Sequence, residues 1–376
     1  MPRAPAKGGR QRGVVKGSNP DRLSNFPDEV LHCILSFLDT KAAVRSGILS
    51  SRWKSLWKTV PVLNFDGESF NDDEQSFKRH VDRFLYLRST TLHEVRRVSV
   101  LNCPGFEERS DLFTALFLSI SRCGRSLETL NLKAVRLYTM AFAGPSPVFK
   151  VLTTLTLVDC CLDFSCWNQQ QVRPFAGFPM LQNLKLISCS CCLDDDDDDP
   201  DADEKCLKVS GRQLLCLEIH APFGFDEIEV SAPKLESFTY RDVIRDFSPI
   251  TQVSLNAPSL KHANIMMWGY MGLDDEYVKE VANQQYSDLL LCLSSVETLS
   301  LQFETLEVLI NVCDLVKNQP SPFARLKSVR LLYSEGAVGI PPYVMHFFRD
   351  GSPFMDENAV KLTKVTTSSF PYNLQA

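Results

Sequence analysis

A chain of 376 residues with 44% hydrophobic and 23% charged positions carries enough apolar surface for a large buried core or for two domains, which excludes wholesale disorder. Its start is hydrophilic and no stretch reaches the roughly 18 apolar residues of a membrane span, so neither secretion nor membrane insertion is expected. The net charge of -6 is unevenly spread, a basic start against an acid-rich remainder, and 13 cysteines with adjacent pairs at Cys160/Cys161 and Cys191/Cys192 fit a reducing compartment better than a disulfide framework.

Residues 1–20 hold Arg3, Lys7, Arg10, Arg12 and Lys16 and no acid. Spaced charges without aromatics to stack on bases read as a disordered basic tail or a nuclear-import signal and do not point to nucleic acid. The segment from Asn25 to Leu38 predicts a helix: Asn25 can cap it, Pro27 suits the first turn, and Asp28 and Glu29 favour the positive end of its dipole. At about 100° per residue its apolar side chains fill an arc of roughly 200°, with Asp28, Glu29, His32 and Ser36 opposite. That arc is too wide for one neighbour. Two shorter helices follow, one capped by Thr40 and running to Leu49, the other capped by Ser50 or Ser51 and bearing Trp53, Leu56 and Trp57. A unit below roughly 40 residues seldom stabilises itself, so these helices must borrow a core from the next domain and from a partner.

The stretch DRLSNFPDEVLHCILSFLDTKAAVRSGILSSRWKSLWKTVPVLNFD, from Asp21 to Asp66, resembles an F-box of the plant F-box/leucine-rich repeat type. The resemblance implies a three-helix F-box over residues 21–60. It also implies docking on the Skp-type adaptor of a cullin-RING ubiquitin ligase through Phe26, Pro27, Val30, Leu31, Ile34, Leu35 and Leu38. Phe26 stands where that family usually has Leu. The competing expectation is that these helices only cap the next domain through Trp53 and Trp57; the surplus width of the first helix favours docking.

Beyond the F-box a helix is expected from Glu74 to Arg88, buried through Phe77, Val81, Phe84 and Leu85, and another from Asp111 to Arg122, capped by Ser110 and closed before Gly124. A weak copy of the template L-x-x-L-x-L, VRRVSV at Val95, lies between them. From Leu127 the template recurs as LETLNL, LTTLTL (Leu152), LQNLKL (Leu181), LLCLEI (Leu214), LESFTY (Leu235), LKHANI (Leu260), VETLSL (Val296) and LKSVRL (Leu326). The spacing is mostly within or near the roughly 20 to 29 residues of a leucine-rich repeat, with insertions at the longer gaps. Cys160 and Cys189 take the Asn/Cys ladder position of that template. A zinc site from Cys160, Cys161, Cys166, Cys189, Cys191 and Cys192 is disfavoured, because the spacings are not of the C-x2-C kind. The acidic run across 194–204 lacks the alternation and glycine of a calcium loop and reads as a solvated loop.

The fold expected is α/β: the N-terminal F-box, then a curved solenoid over 61–340 in which strand-plus-helix units stack, then a C-terminal tail over 341–376. Alternation along the strands puts Lys133, Lys185, Arg241, Met266 and Arg330 on the concave face, with Glu218 the one acid among the outward positions, so an acidic or phosphorylated protein target is expected there. No phosphate-binding loop, H-E-x-x-H or G-x-S-x-G occurs, and the six histidines are scattered. Neither catalytic residues nor metal nor cofactor is expected. With the resemblance, the chain reads as the substrate receptor of an SCF-type ligase, in nucleus or cytoplasm. An F-box protein of a non-ubiquitin assembly and a repeat-based hydrolase are the rivals.

Overall fold

The computed structural model describes residues 23, 26–71, 73–104, 112–138, 148–163, 174–191, 205–243, 251–268, 275–305, 310–313, 321–335, 342–355 and 359–364. The basic tail and the acidic run of 194–204 lie outside them. Eleven strands form one parallel sheet in chain order: β1 (Val62–Asp66), β2 (Arg97–Leu101), β3 (Thr129–Lys133), β5 (Thr154–Val158), β7 (Asn183–Ile187), β10 (Cys216–His220), β12 (Ser237–Val243), β14 (His262–Trp268), β15 (Thr298–Thr305), β16 (Ser328–Glu335) and β17 (Val360–Lys364). The other six described strands lie in two further parallel sheets: the short β4 (Arg136–Tyr138), β6 (Cys161–Asp163) and β8 (Ser190–Cys191) in one, and β9 (Cys206–Ser210), β11 (Glu227–Ser231) and β13 (Gln252–Asn256) in the other.

The template leucines set the register. Leu130, Leu155, Leu184 and Leu217 stand side by side across β3, β5, β7 and β10, and Leu132, Leu157, Leu186 and Ile219 form a second row two residues on. All eight are at most 2% exposed, so a slip of one residue in any strand would turn its leucines to water. After each of five strands the chain turns through a left-handed residue, Asn102, Ala134, Asp159, Ser188 or Ala221, with φ between 45° and 51°. In three of these turns the next residue is a buried cysteine at the ladder position, Cys103, Cys160 or Cys189; the Cys160 thiol donates to the Leu132 and Val158 carbonyls at 3.6 and 3.3 Å, and Cys189 to Leu157 and Ile187 at 3.6 Å. Cys161, by contrast, is disulfide-bonded, which its spacing did not predict.

Two features depart from the sequence expectation. Among the described residues between β3 and β14, the second layer is built by strands where helices were expected. The segments CLKVS, EIEVS and QVSLN alternate with period two and bury every second residue or nearly so, the pattern of a strand with one face covered. Among the described residues longer helices follow β1, β2 and β14: α4 (Glu74–Leu87), buried through Phe77, Val81, Phe84 and Leu85, and α5 (Leu112–Ile120), both where the sequence predicts them, and α6 (Glu276–Cys292). Past residue 340, where a tail was expected, α7 (Pro342–Arg349) buries Val344, Phe347 and Phe348 and β17 extends the sheet beside β16.

The N-terminal module comprises α1 (Asp28–Ser36), α2 (Thr40–Arg45), a 3-10 turn (Ser46–Ile48) and α3 (Trp53–Leu56). It has no core of its own. Trp57 meets Phe84 of α4 at 5.1 Å, Phe65 of β1 meets the same ring edge-on at 5.6 Å, and Asn64 donates to the Ser36 and Leu38 carbonyls at 2.8 and 3.2 Å. Thr40, expected as a helix cap, is instead buried against His80 Nε2 at 2.8 Å, and Asp39 caps α2 by accepting from the Ala42 amide at 2.8 Å.

At this junction Arg88 is fully buried. Its Nη1 donates to the Trp57 carbonyl at 3.2 Å, while Nε and Nη2 make no hydrogen bond among the described residues. Burial lowers its pKa to about 10, so the side chain is still charged at neutral pH. A buried charge that is incompletely hydrogen-bonded costs more than an apolar side chain of similar volume. Arg88→Met is therefore expected to raise stability by about 1 kcal/mol or more, read as a higher urea midpoint at unchanged slope. A lower midpoint would show that the Trp57 bond outweighs the desolvation.

Candidate functional site

Two surfaces remain once the core is assigned. The first lies on the N-terminal helices. Phe26, Val30, Ile34 and Phe37 recur at helical spacing and are 43%, 40%, 37% and 82% exposed, and Val44, Ile48 and Leu49 on and after α2 add 40%, 89% and 58%. A protein surface tolerates isolated exposed apolar residues, but seven within one small module mark a place where a partner belongs.

The opposite side of α1 points into the chain. Leu31 and Leu35, expected to face the adaptor, are 0% and 1% exposed in the same core as Trp53, Leu56 and Phe65, and they are removed from the docking set. Leu38 is half-buried against that core, whereas Pro27 is exposed as the residue before the first helical turn. Asn25, expected to cap α1, lies outside the described residues. An ion pair from Arg52 to Asp28 joins the start of α1 to the approach of α3. The wide apolar arc is thus divided between the chain's own core and the strip. The sequence reading missed Val44, Ile48 and Leu49, although the four-residue step from Val44 to Ile48 was a usable sign.

The second surface is the solvent face of the long sheet. Its side chains stand in three rows, the middle one running Asn131, Thr156, Lys185, Glu218, Thr239, Asn264, Ser300, Arg330. Of the expected target-binding residues, Lys133 and Arg330 are exposed and Arg241 is half-buried. Lys185 is tied to Glu218 at 2.7 Å, so the acid cancels one of the cations it was set against. Met266 is only 8% exposed and is withdrawn, because it stands in the ladder between Arg241 and Gln302, long side chains that flank it on both sides. A depression of about 410 Å³ opens across β12, β14, β15 and β16, lined by Ser237, His262, Asn264, Thr298, Ser300, Ser328 and Arg330 over a floor of Phe238, Ala263 and Leu299. His262 Nδ1 and Thr298 Oγ1 lie 2.7 Å apart in its wall.

Beside Arg241 in the third row, His220 is 6% exposed and neither ring nitrogen has a hydrogen-bond partner among the described residues. Burial first, and the Arg241 charge second, lower its pKa from the ordinary 6.5 to about 4. Stability from the neutral ring is complete above pH 6.5. It is lost as pH falls toward 4, because the unfolded chain takes up the proton that the native chain refuses. The slope is at most about 1.4 kcal/mol per pH unit. His220→Leu is expected to flatten the fall in urea midpoint between those two pH values, and identical pH profiles for both proteins would remove His220 as the cause.

Among the described residues no three His, Cys, Asp or Glu side chains converge to hold a metal ion, and no helix is long and apolar enough to cross a membrane. The F-box domain family matches residues 23–65, which takes in α1 to α3 and most of β1. An FBD-associated F-box protein of Arabidopsis thaliana is 45% identical over 100 residues, 24% of this chain and 22% of its own length. Two F-box/FBD/LRR-repeat proteins of the same plant align further, at 28% identity over 80% of this chain and 70% of theirs, and at 26% over 83% and 68%. This chain thus spans less than a quarter of the first relative and about two thirds of the other two.

Proposed function

This chain is an F-box domain protein related to the plant F-box/FBD/LRR-repeat proteins, and we infer that it is the substrate-recognition subunit of an SCF-type ubiquitin ligase. The F-box docks on a Skp-type adaptor, and through it on cullin and RING subunits, while the face of the long sheet holds a protein target. The observation that supports this most directly is the unpartnered apolar strip from Phe26 to Phe37, continued by Val44, Ile48 and Leu49. At about 25 cal/mol per Å² of apolar surface removed from water, covering it supplies a substantial part of a stable association.

The chain itself contributes position and no chemistry. Tethering a target beside the ubiquitin-loaded subunit raises the effective concentration of its lysines, and bond-making belongs to the partners. Because the two surfaces share one continuous core, the target is held on a rigid extension of the docking module. Such an assembly works in nucleus or cytoplasm. The test is co-purification of the tagged chain with a Skp-type adaptor and cullin, set against a variant with acids in the apolar strip. Capture of the adaptor without cullin would favour an F-box protein acting outside ubiquitination.

A further inference from the structure

We propose that the depression across β12, β14, β15 and β16 is an oxyanion pocket that takes a carboxylate side chain from an acidic segment of the protein target. The proposal deepens, and rests on, the reading of this sheet face as the target-holding surface.

The lining fixes the chemistry. Phe238, Ala263 and Leu299 form the floor but are 0%, 4% and 2% exposed, so a guest meets hydroxyl, amide, imidazole and guanidinium groups over about half of the lining, interleaved with the carbon atoms of the same side chains. Among the described residues no acid lines the depression. The two carboxylates nearest in sequence are already neutralised: Glu236, next to Ser237, pairs with Lys261 at 2.8 Å, and Glu297, next to Thr298, pairs with Lys327 at 2.6 Å and Arg325 at 3.1 Å. Arg330 is exposed and has no ion-pair or hydrogen-bond partner among the described residues.

Register supplies the geometry. Ser300 is the cross-strand partner of Arg330 and Asn264 the partner of Ser300, while Ser328 precedes Arg330 by two residues on the same face. Neighbouring strands stand about 4.8 Å apart and same-face residues about 6.7 Å apart, so a carboxylate against the guanidinium fork has hydroxyl donors on two sides. Within the lining Arg330 is the one cation without a counter-ion among the described residues, and it matches one carboxylate. Lys361, the partner of Arg330 on β17, lies outside the lining and extends the positive strip for neighbouring acids of the same segment.

The experiment uses the full chain and a fluorescein-labelled hexaglutamate peptide, followed by fluorescence anisotropy at about 0.15 M salt, where long-range attraction is screened. Arg330→Gln is expected to weaken binding about tenfold, the loss typical of a hydrogen bond to a charged group. Arg97→Gln, which removes an exposed cation from β2 at the far end of the same face, is expected to leave it unchanged. Equal binding by wild type and Arg330→Gln, equal loss in both variants, or no binding at all would each overturn the assignment. So would a phosphoserine peptide of matched length binding Arg330 markedly tighter than hexaglutamate. Adaptor co-purification from the same preparations is read separately. Its absence would sink the receptor reading, while the peptide result still decides the pocket.

Discussion

Replacing Ile34 and Ile48 together by aspartate is expected to abolish co-purification with a Skp-type adaptor while leaving the chain folded. Ile34 is 37% exposed and Ile48 89%, so two acids at these positions stay in water in the free protein. Neither position contributes to the core that α1 shares with Trp53 and Phe65. On docking, each substitution removes about 1.5 to 3 kcal/mol of apolar burial and adds the cost of desolvating a carboxylate. The combined loss is on the order of a thousandfold in affinity, beyond what a pull-down retains. Circular dichroism and the urea midpoint should match wild type. Wild-type recovery of adaptor by the double variant would end the docking reading of this strip. Aspartate at Leu31, by contrast, would be uninformative, because that side chain is fully buried and its loss of binding would follow from unfolding.

Phe65→Ala is expected to lower the stability of the whole chain by about 3 to 5 kcal/mol, a large part of a typical domain's margin of about 5 to 15 kcal/mol. Phe65 is 0% exposed, lies edge-on to Phe84 at 5.6 Å, meets His80 at 6.3 Å, and sits on the strand that opens the long sheet. Its ring is shared by the F-box helices and the first repeat, so the cavity left behind weakens both. Urea unfolding in a Trp167→Phe, Trp268→Phe background, followed by tryptophan fluorescence, which there reports on Trp53 and Trp57, and by far-ultraviolet circular dichroism, which reports on the sheet, should shift together. Were the fluorescence transition to move alone, the F-box would be an independent unit and the shared core would be wrong.

The repeat template made most of the long sheet legible, because period two and a fixed register follow from leucines spaced by two across successive copies. α4 was equally readable, and all four residues expected to be buried are buried. What the sequence could not apportion was the arc of α1. Apolar spacing says that Leu31 and Ile34 both avoid water but not that α3 and β1 shelter the first and leave the second bare. Met266 failed for a related reason: alternation gives the direction of a side chain, while burial depends on how long its neighbours are. The strands β9, β11 and β13 were visible as alternating segments but lack the leucine template and were passed over. β17 was missed because VKLTK carries few large apolar residues.

The strands of the long sheet are laid down in the order in which they occur in the chain, each beside its predecessor. No strand waits for a distant segment before it can pair, so loop-closure entropy stays small at every step. Assembly can therefore begin at the ribosome as soon as the F-box helices and β1 have emerged, with each new repeat adding to an ordered edge. A nascent chain halted midway would already display a finished adaptor-docking strip on an incomplete target-holding face.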